Sequence, residues 1–248
     1  MLKIKYPPDN WVHVIIKKMV GQSEPSEDSA STRKEKKAQM RDTVARVAFE
    51  LFMEQGYDKT TMRQIAYRAK ILNGSLYNLF PSKDHIFDYI FMHTIEKRKE
   101  KCNHLLEQDM DYMTALALPY LLELHIAKEI PKVGELFHEA YSNWDTFDKI
   151  VDLDTEWIST VSGRFGVPFN ENHIRQVMIS VDGSFTKFVD RYLYTGDGDV
   201  QEDLRTLIIQ LFTLMNLPLH SLDTLMQRYS ELKDSSDTWM DLELWPSE

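Results

Sequence analysis

The chain has 248 residues, 43% of them hydrophobic, and a formal net charge of −10. That is enough apolar material for a sizeable core, but no apolar run approaches the roughly 20 residues a membrane helix needs. The longest, 207–219, is interrupted by Pro218. One cysteine, Cys102, excludes an intrachain disulfide and points to a reducing compartment. There is no Gly-rich phosphate loop, no GxSxG, no HExxH and no CxxC, and the eight histidines show no metal spacing. No catalytic residue, metal or cofactor is therefore expected. Few glycines beside plentiful Leu, Met, Glu, Lys and Gln favour helices over strands. The expectation is a soluble, cytoplasmic, all-α protein that is not an enzyme.

In chain order, "NWVHVIIKKMVG" has its lysines after a short apolar core and no small-residue cleavage site, which fits a secretory signal poorly. "QSEPSEDSASTRKEKK" then reads as a polar linker. Residues 1–32 are expected to be a mobile extension. Charge is divided unevenly beyond them. Residues 33–83 hold eleven Lys/Arg against five Asp/Glu, net +6, and residues 84–248 hold fourteen against thirty, net −16. A basic head beside an acidic body suggests that one end approaches phosphates.

From Arg41, apolar residues fall at Val44, Val47, Ala48, Leu51 and Phe52, the spacing of one helical face. Gly56 fits the left-handed residue that ends such a helix. In "DKTTMRQIAYRA", Thr60 or Thr61 can cap the next helix, with Gln64 three residues after Thr61 as in a capping box. Met62, Ile65, Ala66 and Ala69 make its buried stripe. Next, "KILNGSLYNLF" can turn Ile71, Leu76, Leu79 and Phe80 inward, leaving Asn73, Gly74, Ser75, Tyr77 and Asn78 outside. Two short helices on a tight turn, the second with an exposed polar face, describe a helix-turn-helix able to enter the major groove.

The stretch "LFMEQGYDKTTMRQIAYRAKILNGSLYNLFPSKDHIF" resembles the DNA-binding region of TetR-type transcriptional regulators. The matching elements are Gly56–Tyr57, Thr60–Thr61, Ile65–Ala66, Leu76–Tyr77, Phe80 and Ser82–Lys83–Asp84, over about residues 38–90. The resemblance implies that Thr61 and Lys83 hold phosphates and that Tyr77 presses on the backbone or a base methyl. It implies that Asn73, Ser75 and Asn78 face base edges, with Gly74 between them, Thr60 nearby, and Arg41, Arg63 and Arg68 as weaker phosphate contacts. Two residues depart from the pattern. Lys70 stands where the family places glycine in the turn, and Leu72, where it places Ser or Thr, cannot cap. Asn73 is the next residue able to do so.

The body is helical in period from about residue 83 onward, with Pro119 expected to kink or split a helix. By the resemblance it encloses a pocket for an unidentified small-molecule effector. The aromatic and polarizable candidates are Phe91, Tyr112, Tyr120, His125, Phe137, Tyr141, Trp144, Trp157 and Met178. Over 171–194, Ile174, Val177, Met178, Val181, Phe185 and Phe188 share a stripe. Over 200–217, Leu204, Leu207, Ile208, Leu211, Phe212 and Met215 belong to a helix apolar nearly all round, which needs a second cover. The resemblance supplies one, a four-helix interface between two copies; burial under residues 219–233 and the tail is the alternative. The expected layout is thus a head over 33–83, an effector-binding and dimerisation body over 84–233 and an acidic tail over 234–248. The implied function is a ligand-responsive repressor, a homodimer on a double-stranded operator and away from membranes. A helical interaction module without DNA binding is the rival.

Overall fold

The computed structural model describes residues 33–106, 112–164, 170–219 and 222–227. The expectations for residues 1–32 and for the tail over 234–248 lie outside the described residues. Among the described residues there is no strand. The helices are α1 (Arg33–Gln55), α2 (Met62–Arg68), α3 (Asn73–Leu79), α4 (Lys83–Leu106), α5 (Tyr112–Glu129), α6 (Pro131–Ser142), α7 (Trp144–Arg164), α8 (Glu171–Thr195) and α9 (Val200–Leu214). A short helical segment follows at 222–227. No described helix is long and apolar enough to cross a membrane.

Two compact units meet between Thr94 and Ile95. That point lies inside α4 rather than at residue 83, where the charge changes sign. Aromatic packing explains the shift. Phe87 lies 5.9 Å from the ring of Phe52 and 4.8 Å from that of Tyr57, and Tyr89 lies 5.4 Å from Phe80. The first turns of α4 are therefore part of the head's core.

In the head, α1 is exposed over 34–40 and buries Val44, Ala45, Val47, Ala48, Phe49, Leu51 and Phe52, the stripe its spacing predicts. Gly56 ends it at φ 90°, donating its N–H to Phe52 O at 2.9 Å. Thr61 then starts α2 in extended conformation. Its hydroxyl accepts from Gln64 N at 3.3 Å, while Gln64 Oε1 accepts from Thr61 N at 2.8 Å. Ile65 and Ala66 turn inward. The link to α3 passes through Lys70 at φ 56°, a left-handed conformation that costs a non-glycine residue about 1 kcal/mol.

In the body, α8 packs most extensively against α6 and α7 and also meets α5 and α9. Phe185, fully buried, takes the rings of Tyr141 at 4.9 Å, Phe137 at 5.9 Å and Tyr120 at 6.2 Å. Asn170 and Asp199 cap α8 and α9 through their side chains, and Gly196 closes α8 at φ 70°. Gly134 is set by space, since a Cβ there would lie 2.9 Å from the carbonyl oxygen of Ala127. Pro119 does not split its helix, because α5 runs through it as one element.

The expected dimer residues need correction. Ile174, Val177, Met178, Val181 and Phe185 on α8, and Leu204, Leu207, Ile208, Leu211, Phe212 and Met215 on or next to α9, are all buried within a single chain. Only Phe188 is half-exposed. Within the chain α9 packs against α5 and α8. Leu222, Leu225 and Met226 are buried, and Asp223 accepts a hydrogen bond from Arg205 of α9 at 2.9 Å. The outward surface of α8 and α9 instead presents Ser180, Lys187, Ile209 and Leu214.

Candidate functional site

The outward surface of α3 is exposed. Asn73, Gly74, Ser75, Tyr77 and Asn78 are all exposed, and Leu76 alone in the helix is buried. Tyr77 is 53% exposed. The helix is seven residues long and begins after Leu72, which makes no side-chain cap. Asn73 is the first helical residue and does not replace the cap. A helix this short has no stability of its own, so its position depends on its surroundings. Leu76 and Phe80 anchor it from beneath. The guanidinium of Arg41 lies 4.4 Å from the centre of the Phe80 ring and 4.7 Å from that of Tyr89. It also donates to Leu79 O at 3.2 Å, which satisfies a carbonyl at the C-terminus of α3.

Arg41 is thereby a brace between α1, α3 and α4 rather than a free phosphate ligand. Tyr89 completes the brace by donating to Asp42 Oδ1 at 2.6 Å. Burial, and then this bond, push its phenol up to about 12. Arg68 is likewise committed, donating to both oxygens of Glu54 at 2.5 and 2.6 Å and so tying α2 to α1. Thr60 is sealed in at 1% exposure. Its hydroxyl donates to Gly56 O at 2.9 Å and accepts from Gln55 Nε2 at 3.1 Å, so the expected contact with DNA is withdrawn. Thr61, beside it, is exposed at the start of α2, with Arg63 exposed one residue into that helix. Lys83 Nζ donates to Tyr57 O at 2.7 Å and sits over the Tyr57 ring. An ammonium has three donors, so two remain for a phosphate.

Two exposed apolar groups flank α3 and were not selected from sequence. Leu72 is 80% exposed and Tyr67 is 87% exposed. The sequence signal for Leu72 was its misfit, a leucine where a cap belongs. An apolar side chain at the edge of a polar reading face is suited to a thymine methyl.

In the body, a cavity of about 20 Å³ is lined by Tyr120, Tyr141 and Trp157, by Pro119 and Ile158, and by the charged Lys99, Glu123 and Asp154. Lys99 Nζ lies 2.9 Å from Asp154 Oδ1. Behind Tyr120 lies Asp182, fully buried. The Tyr120 hydroxyl donates to its Oδ1 at 2.8 Å, and its Oδ2 has no hydrogen-bond partner. Burial drives the Asp182 carboxyl well above the usual carboxylate range, and the charge of Asp154 adds to that. Burial also raises the Tyr120 phenol, with Asp182 next in effect.

Of the nine expected pocket residues, Tyr120, Tyr141 and Trp157 line the cavity, and Met178 Sδ lies 3.9 Å from the Tyr120 hydroxyl. Phe137 packs on Phe185, and Tyr112 bonds Ser162 at 3.0 Å and meets the Phe212 ring. His125 is half-exposed. Phe91 belongs to the head, 4.9 Å from Phe87, and Trp144 is 67% exposed. Neither of these two can line the cavity. Lys99, Glu123, Asp154 and Asp182 escaped the sequence reading because isolated charges on helices usually mark a solvated face. Among the described residues no group of His, Cys, Asp and Glu is arranged to hold a metal.

Comparison with known proteins matches the head. Residues 45–90 fit the family described as bacterial regulatory proteins, tetR family. The uncharacterized HTH-type transcriptional regulator YhgD of Bacillus subtilis (strain 168) is 29% identical over 69 residues, covering 28% of this chain and 36% of that protein. The match thus spans about a third of the relative's length. The fold extends further than the sequence likeness. A crystal structure of Thermus thermophilus FadR, a TetR family transcriptional repressor in complex with lauroyl-CoA, superposes with a TM-score of 0.56 at 20% identity. It covers 69% of this chain and 93% of that one. By motif and by family match, residues 45–90 are similar to the helix-turn-helix region of the bacterial regulatory proteins, tetR family.

Proposed function

We propose that the protein is a DNA-binding transcriptional regulator, a repressor acting as a homodimer whose grip on its operator responds to a small molecule held in the body. The observation that carries the reading is α3. Its outward residues Asn73, Ser75, Tyr77 and Asn78 are solvent-facing, while Leu76, Phe80 and the Arg41 brace hold its other side. Asn73 and Asn78 are suited to adenine's paired donor and acceptor, and Arg63, Thr61 and Lys83 to flanking phosphates. Helix N-termini favour anions, which suits Thr61 at the start of α2. Two copies would read half-sites about one helical turn apart. The outward surface of α8 and α9 is the candidate contact between copies. Ligand control follows if an effector prefers one of two body conformations, with leverage equal to its differential affinity.

The test is a fluorescence-anisotropy titration with DNA from upstream of the protein's own gene, against scrambled DNA at matched salt. Specific binding by at least about a thousandfold, the lower end for such proteins, is expected. Equal affinity for both DNAs would favour the rival reading, a helical interaction module.

A further inference from the structure

The exposed surface around α2 and α3 carries apolar side chains as well as charge. Tyr67, Leu72 and Tyr77 are 87%, 80% and 53% exposed, three large side chains close together in sequence. The apolar group that a major groove offers is the thymine methyl, whereas exposed apolar side chains set among charges suit a protein segment. The same stretch is uniformly basic. Residues 59–83 hold Lys59, Arg63, Arg68, Lys70 and Lys83 and no Asp or Glu, net +5. Arg68 is committed to Glu54, while Lys59, Arg63 and Lys70 are exposed and Lys83 is half-exposed.

One segment of the chain has the complementary composition. Residues 234–248, "DSSDTWMDLELWPSE", hold Asp234, Asp237, Asp241, Glu243 and Glu248 and no Lys or Arg, net −5. Among these carboxylates stand Trp239, Met240, Leu242, Leu244 and Trp245. Acidic segments that merely solvate a chain are poor in aromatic residues. This one lies outside the described residues, and its sequence and the head's exposed surface carry the argument.

Resting on the DNA-binding reading above, we infer that residues 234–248 are a built-in competitor for the operator. Their carboxylates take the place of phosphates at the head's cations, and their tryptophans and leucines cover Tyr67, Leu72 and Tyr77. Tethering makes a weak contact effective. A segment with a Kd of about 0.1 mM as a free peptide, held at an effective concentration of about 1 mM, occupies the surface about nine-tenths of the time and lowers DNA affinity about tenfold. Salt screens the attraction, so the inhibition is strongest at low ionic strength.

The experiment uses the full chain in three forms: wild type, Trp239→Ser with Trp245→Ser, and Asp237→Asn with Asp241→Asn and Glu243→Gln. DNA anisotropy at about 50 mM salt should show both variants binding up to about tenfold tighter than wild type, with the gap closing toward about 200 mM. The tryptophan variant is decisive because its charge is unchanged; plain repulsion between an acidic segment and DNA predicts no effect from it. A labelled peptide of residues 234–248 is then titrated into the tryptophan variant. It should bind with a Kd of about 0.1 mM and be displaced by duplex DNA. Adding Tyr67→Ser should weaken the peptide about fivefold, the worth of one aromatic contact. The inference is overturned if the tryptophan variant binds DNA as wild type does, if the peptide does not bind or is not displaced, or if Tyr67→Ser leaves the peptide unaffected. It is also overturned if Tyr67→Ser alters the oligomeric state while the peptide does not bind, since the surface is then a contact between copies. Selective operator binding that is indifferent to both tail variants defeats only this inference. A peptide that binds and is displaced equally by operator and scrambled DNA supports it and defeats only the sequence-specific regulator reading.

Discussion

Leu76 and Leu72 lie four residues apart and should fail in opposite ways. Leu76 is fully buried and is the sole buried residue of α3. Truncating a fully buried leucine to alanine costs about 3 kcal/mol or more through lost transfer energy and the cavity left behind. Against a typical total of about 5–15 kcal/mol that is a large fraction. The loss falls on a seven-residue helix without a side-chain cap, which cannot persist unaided. Leu76→Ala should therefore release α3 locally before the rest of the head unfolds. Leu72 is mostly in solvent, so Leu72→Ala should leave stability within about 0.5 kcal/mol. It should still reduce operator affinity by about 1 kcal/mol if the leucine meets a thymine methyl. Amide hydrogen exchange over residues 73–80 reads the first effect and anisotropy with a thymine-to-uracil operator the second. If Leu76→Ala keeps full protection, or if Leu72→Ala destabilises by more than about 1 kcal/mol, the assignment of inner and outer faces is wrong.

Other outcomes follow from neighbouring groups. Lys83→Ala should lower the slope of log affinity against log salt by about one unit between roughly 50 and 200 mM salt, as should Arg63→Ala; an unchanged slope removes that residue from the phosphate contacts. Lys70→Gly relieves a left-handed lysine and should stabilise the head by about 0.5–1 kcal/mol in urea denaturation, although it also removes a positive charge. Asp182 has a folded-state pKa raised by burial, so its contribution is fully present below the ordinary carboxylate range and is lost as pH rises toward the folded value. The wild-type body should lose up to about 1.4 kcal/mol per pH unit above pH ~4 relative to Asp182→Asn. Parallel stability curves for the two proteins would contradict a protonated Asp182.

The head was legible in the sequence because its signals are local. The stripe from Val44 to Phe52, the Thr61–Gln64 box and the outward set on α3 each depend on spacings of three or four residues. Thr60 was not legible, since two adjacent threonines offer the same cap and only packing decides which turns inward. Arg41 and Arg68 read as phosphate ligands because their partners, Leu79 and Glu54, are brought near only by the tertiary fold. The expected dimer stripe failed for a related reason. An all-round apolar helix announces that something covers it, and the sequence does not say whether that is a second copy or other helices of the same chain. The ionisable residues lining the cavity are scattered from Lys99 to Asp154 on different helices, and no spacing rule joins them.

The one donor hydrogen of the Thr61 hydroxyl is already committed in the isolated chain. The hydroxyl accepts from Gln64 N and donates its one hydrogen to Gln64 Oε1 at 2.8 Å. To reach an operator oxygen it must first let go of that glutamine. Contact with nucleic acid at this point is therefore an exchange of one partner for another, nearly neutral in energy. Under the proposed reading its worth lies in orientation: a threonine held ready costs little to redirect, and the interchange can run backward as easily as forward.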